Sequence, residues 1–463
     1  MLQQKFINRK SELKFLEKKY AERRPQLIIL YGRRRIGKTS LIRYFLEKKK
    51  RWIYLLCSRD SIAENIKRFK EAFSVLTGKD YFLKLNTTSF FDLFKMLVEE
   101  LGNKRFIIVI DEFPYLIELN PGIVSVFQKI WDELLINSNI YMILCGSSIG
   151  MMETEVLGYK SPLYGRRTGS WNVGKLGFEH IHEFFPKYDI DSCFMAWAVC
   201  GGVPYYLTLF DPALSVWKNI KQKILHKGEV LYDEPENILR QEFREPRVYG
   251  LVLKYLAAGY NSFGVLSNAS GIEKGNLSKY LSVLLDLCYV KHEVPLFQKK
   301  KGRFVIADNF FEFWFKFVLP NKEDLELESI DLAARRIKDQ LDQYFGKKFE
   351  DLIIDLIRRK LLFSSNFDYV GRWWHKGVEI DVTCFNKKQR FLLVGECKWQ
   401  KKVNAKRLLT KLEEKLNLFP HKYEKVKFFI VARSFSKRTK DCVCLDLKDI
   451  WNEINKKIQK KIK

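Results

Sequence analysis

Four short apolar runs punctuate the first third of the chain, and each has the length of one strand. They cover residues 27–30, 52–57, 106–110 and 141–145. Unbroken apolar runs indicate strands buried on both faces of a parallel sheet. Between them, apolar residues recur at helical spacing, which predicts amphipathic helices that cover the sheet. Six of these helical positions are assigned to the core: Phe69, Phe73, Phe90, Phe91, Phe94 and Leu97.

A different pattern begins after a charged stretch, residues 231–246, that is interpreted as a connector. Apolar spacing predicts helices over 248–257 and 265–269 and a third ending near 288, followed by strands over 290–294 and 304–307. This order predicts a winged helix-turn-helix. Such a module contacts DNA or only packs between domains. The candidate DNA-binding residues are Lys274, Asn276, Lys279, Lys299, Lys300, Lys301 and Arg303.

The aromatic-rich segment 309–318 is assigned to the core, although base stacking is an alternative. A polar stretch, 320–329, marks the boundary to a last domain. There the pattern predicts a helix over 338–363 and strands over 367–370, 378–382 and 391–397.

The net charge of the chain indicates which class of partner it binds. The 463 residues carry a net charge of +27. Residues 331–463 hold 33 basic and 17 acidic residues, so more than half of the excess lies there. A polyanion, DNA above all, is the expected partner; an anionic membrane is a weaker option, and a lysine-rich solvated surface is the alternative.

Two further properties concern the compartment. No apolar run approaches the ~20 residues that span a bilayer, and the N-terminus lacks the apolar core of a signal peptide. The nine scattered cysteines suggest reduced thiols and no zinc site. We therefore expect a cytoplasmic protein with no membrane partner.

The first apolar run ends in a phosphate-binding loop. Four residues separate Gly32 from Gly37-Lys38-Thr39, a spacing that lets backbone N–H groups wrap a phosphate. Lys38 is expected to reach the β and γ phosphates of ATP, and Thr39 to ligate Mg2+. A chance glycine-rich turn is the alternative. The candidate nucleotide-binding residues of the loop are Gly32, Arg33, Arg34, Arg35, Ile36, Gly37, Lys38, Thr39 and Ser40.

The third run delivers two acids to the same sheet edge. Asp111 is a candidate Mg2+ ligand, and Glu112 a candidate base for the attacking water. A surface strand that ends in two acids is the alternative. Ser147 follows the fourth run, where a polar residue senses the γ-phosphate or simply makes a turn. Arg166 and Arg167 have two alternative interpretations. They contact a phosphate, in their own subunit or in a neighbouring one, or they are solvated surface residues.

Several motifs in order resemble the archaeal-type ATPases, a branch of the STAND-like P-loop ATPases. They are Phe6-x-x-Arg9-x-x-Glu12-Leu13, the phosphate loop, Val109-Ile110-Asp111-Glu112-Phe113, Cys145-Gly146-Ser147-Ser148, Leu163-Tyr164-Gly165-Arg166-Arg167 and Gly201-Gly202-Val203-Pro204. The resemblance implies a RecA-like core (1–175) and a helical lid with connector (176–240). It implies that Pro204 lies near the nucleotide. For the N-terminal segment that contains Arg9 there are two interpretations: it folds over the adenine of the nucleotide, or it is only a helix that covers the sheet.

The last domain carries a carboxylate pattern. Glu350 lies in the predicted helix, Asp381 on one strand, and Glu396 and Lys398 on one face of the next. These residue types suit a Mg2+-dependent phosphodiesterase, with Asp381 and Glu396 as metal ligands and Lys398 acting on the attacking water. A hairpin with ordinary surface charges is the alternative. With Gly371-Arg372-Trp373-Trp374, the pattern resembles the PD-(D/E)XK nuclease superfamily, except that Ile380 replaces its nominal proline.

The expected fold is therefore multidomain α/β: a RecA-like P-loop ATPase with a helical lid, a winged helix-turn-helix (241–320) and a restriction-endonuclease-like domain (331–463). The expected function is an ATP-hydrolysing, DNA-binding protein with a Mg2+-dependent nuclease domain under ATP control. The alternative is a nucleotide-switched regulatory or defence scaffold that binds DNA without cutting it. A homo-oligomer is left open.

Overall fold

The computed structural model describes residues 6–298, 302–419 and 423–462. The chain forms two compact units. Unit 1 comprises Met1–Leu176 with Val203–Tyr205, and unit 2 comprises Gly177–Gly202 with Tyr206–Lys463. Each is described by itself.

Unit 1 is a parallel sheet covered by helices. Its strands are β1 (Gln26–Tyr31), β2 (Trp52–Leu56), β3 (Phe106–Asp111), β4 (Ile140–Gly146) and β5 (Gly169–Asn172). Its helices are α1 (Lys10–Ala21), α2 (Lys38–Leu46), α3 (Ile62–Thr77), α4 (Tyr81–Lys84), α5 (Phe90–Leu101), α6 (Phe113–Leu119), α7 (Ile123–Lys129) and α8 (Ile149–Met151), with π-helical turns at Ile130–Leu135 and Met152–Val156.

The strand order of unit 1 is β2-β3-β4-β1-β5, and every pairing is parallel. The parallel sheet and its apolar strands are as predicted. All six residues of β3 and all seven of β4 are buried, because helices cover both faces of the sheet. All parallel strands end at one edge, so β1 and β3 deliver the phosphate loop and Asp111 to the same side.

The first part of unit 2 is helical. Its helices are α9 (Ile181–Phe184), α10 (Ile190–Cys200), α11 (Pro204–Leu209, which begins in unit 1), α12 (Val216–Asn219), α13 (Val230–Glu242), α14 (Pro246–Ala257), α15 (Phe263–Ser270) and α16 (Lys274–Asp286). A 3-10 turn covers Phe178–His180, and a π-helical turn covers Ile220–Ile224.

Most of the stretch interpreted as a charged connector, residues 231–246, is helix α13. Pro235 lies inside this helix and cannot donate to a preceding carbonyl. Tertiary burial outweighs this cost: Leu231, Tyr232 and Leu239 are buried, and the Trp314 indole N–H donates to the Tyr232 carbonyl at 2.6 Å.

A small hairpin follows α16, made of β6 (Val290–Glu293) and β7 (Arg303–Ile306) in antiparallel pairing. The three helices and two strands predicted here are all present, while their assignment as a winged helix-turn-helix stays a prediction. Leu296 and Phe297, which follow β6, pack onto the C-terminal sheet. Leu296 N–H donates to the Arg372 carbonyl at 3.1 Å, and Phe297 packs against Phe385 and Phe419.

After the hairpin come α17 (Asn309–Phe313), a π-helical turn (Trp314–Val318), a 3-10 turn (Leu319–Asn321), α18 (Lys322–Glu326) and α19 (Ile330–Arg358). The aromatic residues of 310–317 are buried, which confirms that this segment belongs to the core. Helix α19 is longer than the predicted helix and begins eight residues earlier.

The rest of unit 2 contains β8 (Tyr369–His375), β9 (Val378–Asn386), β10 (Phe391–Lys398), β11 (Val403–Asn404), α20 (Ala405–Leu416), β12 (Lys425–Ala432), β13 (Phe435–Lys437), β14 (Val443–Asp446) and α21 (Leu447–Ile462). The sheet order is β14-β12-β10-β9-β8. Strands β8, β9 and β10 are antiparallel, whereas β10, β12 and β14 are parallel. Strands β11 and β13 pair separately.

None of the helices within the described residues is both long and apolar enough to cross a bilayer.

Candidate functional site

The phosphate loop of unit 1 is shaped by two glycines with positive φ. Gly32 has φ +151°, and a Cβ there would lie 2.5 Å from the Val173 carbonyl oxygen. Gly37 has φ +90° and precedes α2 as its N-cap. The Lys38 ammonium is buried and donates to the carbonyls of Gly32 and Arg33, at 2.8 and 3.0 Å. Lys38 therefore lies along the loop that it is predicted to serve.

The acid at the end of β3 meets the first turn of α2. The Thr39 hydroxyl donates to Asp111 Oδ2 at 3.0 Å, which brings the two predicted Mg2+ ligands together. The Tyr54 hydroxyl on β2 donates to the same oxygen. Burial and the neighbouring Asp111 raise the pKa of Tyr54, so its proton stays on the phenol. Tyr54 was not among the predicted site residues, although it alternates with buried residues on a strand next to β3.

Glu112 has an unusual backbone for a non-glycine residue, with φ +54°. Its Oε2 accepts a hydrogen bond from the Ser147 hydroxyl at 2.7 Å. The structure thus gives Ser147, a proposed phosphate sensor in the sequence analysis, a direct contact with the candidate base.

The Arg9 guanidinium supports the loop from the side. It donates to the carbonyls of Ile36 and Gly174, each at 2.7 Å, and pairs with Glu12. Its side chain is buried, and burial lowers its pKa. Arg9 therefore stabilises the loop through these hydrogen bonds, a role that was not predicted from the sequence.

The remaining loop residues have separate surroundings. Arg34 donates to the Tyr115 hydroxyl at 3.0 Å, and Arg35 stacks over the ring of Tyr205. Ile36 is buried, whereas Ser40 is exposed in the first turn of α2. A Cβ on Gly37 would lie 3.8 Å from Pro204 Cγ, so Pro204 flanks the loop, and its place near the nucleotide stays a prediction.

For Arg166 and Arg167 the sequence left phosphate contact and solvation as alternatives, and Arg166 is ion-paired within unit 1. Its guanidinium bonds to Asp132 through Nε and Nη2, at 3.1 and 3.0 Å.

In unit 2, the carboxylate pattern of the sequence converges at adjoining strands. Lys398 Nζ lies 2.8 Å from Glu396 Oε1 and 3.7 Å from Asp381 Oδ2. The backbone N–H of Cys397 donates to Asp381 at 2.9 Å. Burial and the nearby Glu396 raise the pKa of Asp381, while Asp381 and Glu396 together raise the pKa of Lys398 against the effect of its burial.

Glu350 faces this cluster from α19. Burial and the charge of Asp381 raise the pKa of Glu350, which indicates that the two acids share one electrostatic environment. Arg372 on β8 holds Glu350 through Nε at 3.0 Å, and also contacts Asp351 and Glu293. Helix α19, strand β8 and the hairpin therefore meet at one buried guanidinium.

A second lysine was not anticipated. Lys415 on α20 lies 2.8 Å from Glu396 Oε2, so each oxygen of Glu396 has a lysine partner. In the described part of the chain, no three His, Cys, Asp or Glu side chains converge as metal ligands. Lys415 lies nineteen residues beyond Glu396, and no local spacing in the sequence links the two.

Comparison with known proteins identifies the family to which this chain belongs. Residues 6–210 match a family model described as "ATPase domain predominantly from Archaea". The uncharacterised protein MJECL04 of Methanocaldococcus jannaschii is 35% identical over 455 residues, which span 96% of this chain and 99% of that protein. The chain belongs to this archaeal ATPase family.

Other matches cover parts of the chain. Residues 314–409 match "Archaea bacterial proteins of unknown function". The uncharacterised ATP-binding protein MJ0423 of M. jannaschii is 67% identical over 45 residues, 10% of this chain and 76% of that protein. The Walker-type ATPase PABY2304 of Pyrococcus abyssi, 23% identical, has a TM-score of 0.51 and covers 67% of this chain and 96% of its own, which shows a shared fold. Membership in the archaeal ATPase family supports ATP as the cofactor.

The predicted DNA-binding residues of this family member differ in their exposure and in their contacts. Lys274, Asn276 and Lys279 are exposed on α16. Arg303 is engaged instead: it pairs with Glu293 and Glu379 and stacks on Trp374 at 4.4 Å. These contacts join the hairpin to the C-terminal sheet, and the interpretation of Arg303 as a DNA contact stays a prediction. Lys299, Lys300 and Lys301 lie outside the described residues.

Proposed function

We propose that this chain is an ATP-hydrolysing protein that engages DNA and carries a Mg2+-dependent nuclease site in unit 2, with the ATP state controlling DNA engagement or cleavage. One observation carries the nuclease assignment. Lys398 Nζ lies 2.8 Å from Glu396 and 3.7 Å from Asp381 on the adjoining strand, with Glu350 facing the cluster.

The residues of the ATP site fit the nucleotide and its metal. Thr39 and Asp111 present two hard oxygen donors 3.0 Å apart, the ligand type that Mg2+ prefers. Mg2+ bound there neutralises phosphate charge. Lys38 would exchange its loop carbonyls for phosphate oxygens, and Glu112, held by Ser147, would orient the attacking water and accept its proton.

The donor set in unit 2 also fits a hard cation, since Asp381 and Glu396 offer carboxylate oxygens. A divalent cation there supplies Lewis-acid activation of a phosphodiester. Lys398 contacts both acids and is the side chain placed to orient a water against the phosphate. Arg372 fixes Glu350 from behind, so the helix acid has a defined position.

Charge supports DNA as the partner. The net charge is +27, and α16 displays three of the predicted polar and basic contact residues on its exposed side. Its apolar side, with Leu277, Leu281 and Leu284, is buried. The hairpin is packed against the C-terminal sheet through Leu296 and Phe297, so we propose α16 as the main DNA-contacting element.

The nuclease proposal is tested with linear, branched and single-stranded DNA in Mg2+, with and without ATP. The parent should cleave at least one form, and Glu396→Ala should lose cleavage while ATP hydrolysis continues, because the two sites lie in different units. Glu453→Ala is the matched control, because Glu453 is a partly exposed glutamate on α21 that pairs with Lys456. Cleavage by Glu396→Ala at the parent rate would refute the assignment.

The ATPase proposal has its own test. Lys38→Ala should abolish nucleotide binding, and Glu112→Gln should retain binding while turnover slows strongly, since the amide cannot accept the proton. Hydrolysis by Glu112→Gln at the parent rate would remove Glu112 from this role.

The scaffold hypothesis is the second candidate, and the lysines favour it. Both oxygens of Glu396 are ion-paired with lysines, so this acid is neutralised without a metal. In this alternative the basic groups bind DNA and nothing is cut. Absence of cleavage of any DNA form by the parent, with DNA affinity unchanged by Asp381→Ala, would favour it.

A further inference from the structure

A cavity of about 540 Å3 opens beside the carboxylate cluster of unit 2. Glu350 and Lys398 form part of its lining. Lys316, from the π-helical turn that follows α17, and Lys347, from α19, also line it. Neither of these lysines takes part in the cluster described above, so the cavity reaches beyond the site that the sequence pattern predicts.

The lining carries more positive than negative charge. Five basic side chains and three acidic ones face the cavity. Arg303, Arg372 and Lys398 are already ion-paired. Lys347 has only a longer contact, 3.4 Å to Glu312. This leaves Lys347 weakly neutralised.

Lys316 has no ion pair or hydrogen bond with any residue that the structure describes, and it is half-buried. Burial lowers the pKa of Lys316, and Lys347 and Lys348 add to this effect while Glu312 opposes it. An anion held between Lys316 and Lys347 would relieve this repulsion.

The size of the cavity restricts the ligand. Its volume lies in the range of about 300–1,000 Å3 that small ligands occupy. A stacked duplex does not fit into such a space, and enzymes that place one base in a pocket act on single strands or extrude the nucleotide. A single phosphate would leave most of the volume unfilled.

We propose that this cavity binds one unpaired nucleotide of a nucleic-acid strand, with its phosphate between Lys316 and Lys347. The inference rests on the proposed nuclease function, since the cavity shares Glu350 and Lys398 with the nuclease site. It adds a preference: the protein selects strand ends, single strands or extruded nucleotides over intact duplex.

The experiment measures binding by the full-length chain in EDTA, so that neither metal nor cleavage enters the readout. The probes are a fluorescently labelled single-stranded DNA and a blunt duplex of the same sequence. The single strand should bind more tightly. Lys316→Ala should weaken single-strand binding roughly tenfold, as expected for a charge-assisted contact, and should flatten the salt dependence of log K by roughly 0.7. Duplex affinity should change much less.

Lys448→Ala is the matched control, because Lys448 is an exposed lysine on α21. Lys316→Arg should restore single-strand affinity, and hydrogen exchange of peptides covering β8–β10 reports that unit 2 is folded in each variant. Competition by a deoxynucleoside monophosphate but not by inorganic phosphate would support a nucleotide-sized site. Equal competition by both would overturn it in favour of a simple anion site.

Equal loss of single-strand and duplex affinity in Lys316→Ala, or no loss in either, would overturn the inference. The outcome is separable from that of the nuclease proposal. Selective single-strand binding without any cleavage would sustain the cavity and reject the nuclease, while cleavage with Lys316→Ala unchanged in binding would do the reverse.

Discussion

Arg372→Met tests the buried charge network that joins the hairpin, helix α19 and strand β8. The Arg372 side chain is 3% exposed, and its guanidinium lies 3.0–3.2 Å from carboxylate oxygens of Glu350, Asp351 and Glu293. Methionine preserves much of the apolar stem but removes the charge and every donor. The three carboxylates then remain in a largely buried site without their shared cation.

Removing one partner from a buried ion pair costs about 3–5 kcal/mol. Lys291 and Lys348 still contact Asp351, and the side chains of Glu293 and Glu350 are 16% and 23% exposed. These remaining interactions place the expected loss at the lower end, about 3 kcal/mol. The arginine supports the geometry of Glu350 in addition to this energy.

Hydrogen exchange of peptides covering β8–β10 is the suitable assay, because it reports local opening even though two units preclude a single unfolding transition. A loss of about 3 kcal/mol corresponds to exchange roughly 100-fold faster in these strands. Peptides from β1–β4 of unit 1 should be unaffected.

Arg438→Met is the control for charge removal at the surface. Arg438 also pairs with two carboxylates, Asp446 and Asp449, but it is 47% exposed. Exposed pairs contribute about 0–1 kcal/mol, so exchange should change by less than roughly tenfold. Equal effects of Arg372→Met and Arg438→Met would refute the reasoning. Adding Glu293→Gln to Arg372→Met should recover part of the loss, because one unpaired charge disappears.

Three further predictions follow from the described contacts. Ser147→Ala should lower the ATP turnover rate with little change in KM, because it frees Glu112 without altering the loop; a change in KM alone would contradict this. Tyr54→Phe should weaken the Mg2+ dependence of ATP binding, since Asp111 loses a donor that positions it; an unchanged Mg2+ titration would contradict this. For pH, lysines of α19 hold the pKa of Glu312 below 4.5 despite its burial, so Glu312 stabilises the fold above that pH, and the stability is lost as the pH falls below it. Glu312→Gln should show a smaller drop in the unfolding temperature of unit 2 between neutral pH and about pH 4, and an equal drop would contradict this.

The sequence by itself determined the sheet of unit 1 and its nucleotide edge. Unbroken apolar runs specify buried parallel strands, and Gly32, Gly37, Lys38 and Thr39 are linked by local spacing that the loop geometry demands. The pairing of Asp111 with Thr39 followed from the same logic, because parallel strands end at one edge of the sheet. Periodicity likewise marked α14–α16, β6–β10 and α19 of unit 2, and the aromatic-rich segment 309–318 was assigned to the core.

Only the tertiary structure decided which partners surround those residues. Tyr54, Arg372 and Lys415 contact the candidate sites from strands or helices distant in sequence, and no local pattern encodes such contacts. Burial of Leu231, Tyr232 and Leu239 accommodates Pro235 inside helix α13. Tertiary packing also places Phe297 against Phe385 and Phe419, and pairs Arg303 with Glu379. Local spacing thus fixes chemistry that one loop or strand supplies, whereas long-range packing decides which charges are shared, buried or left available.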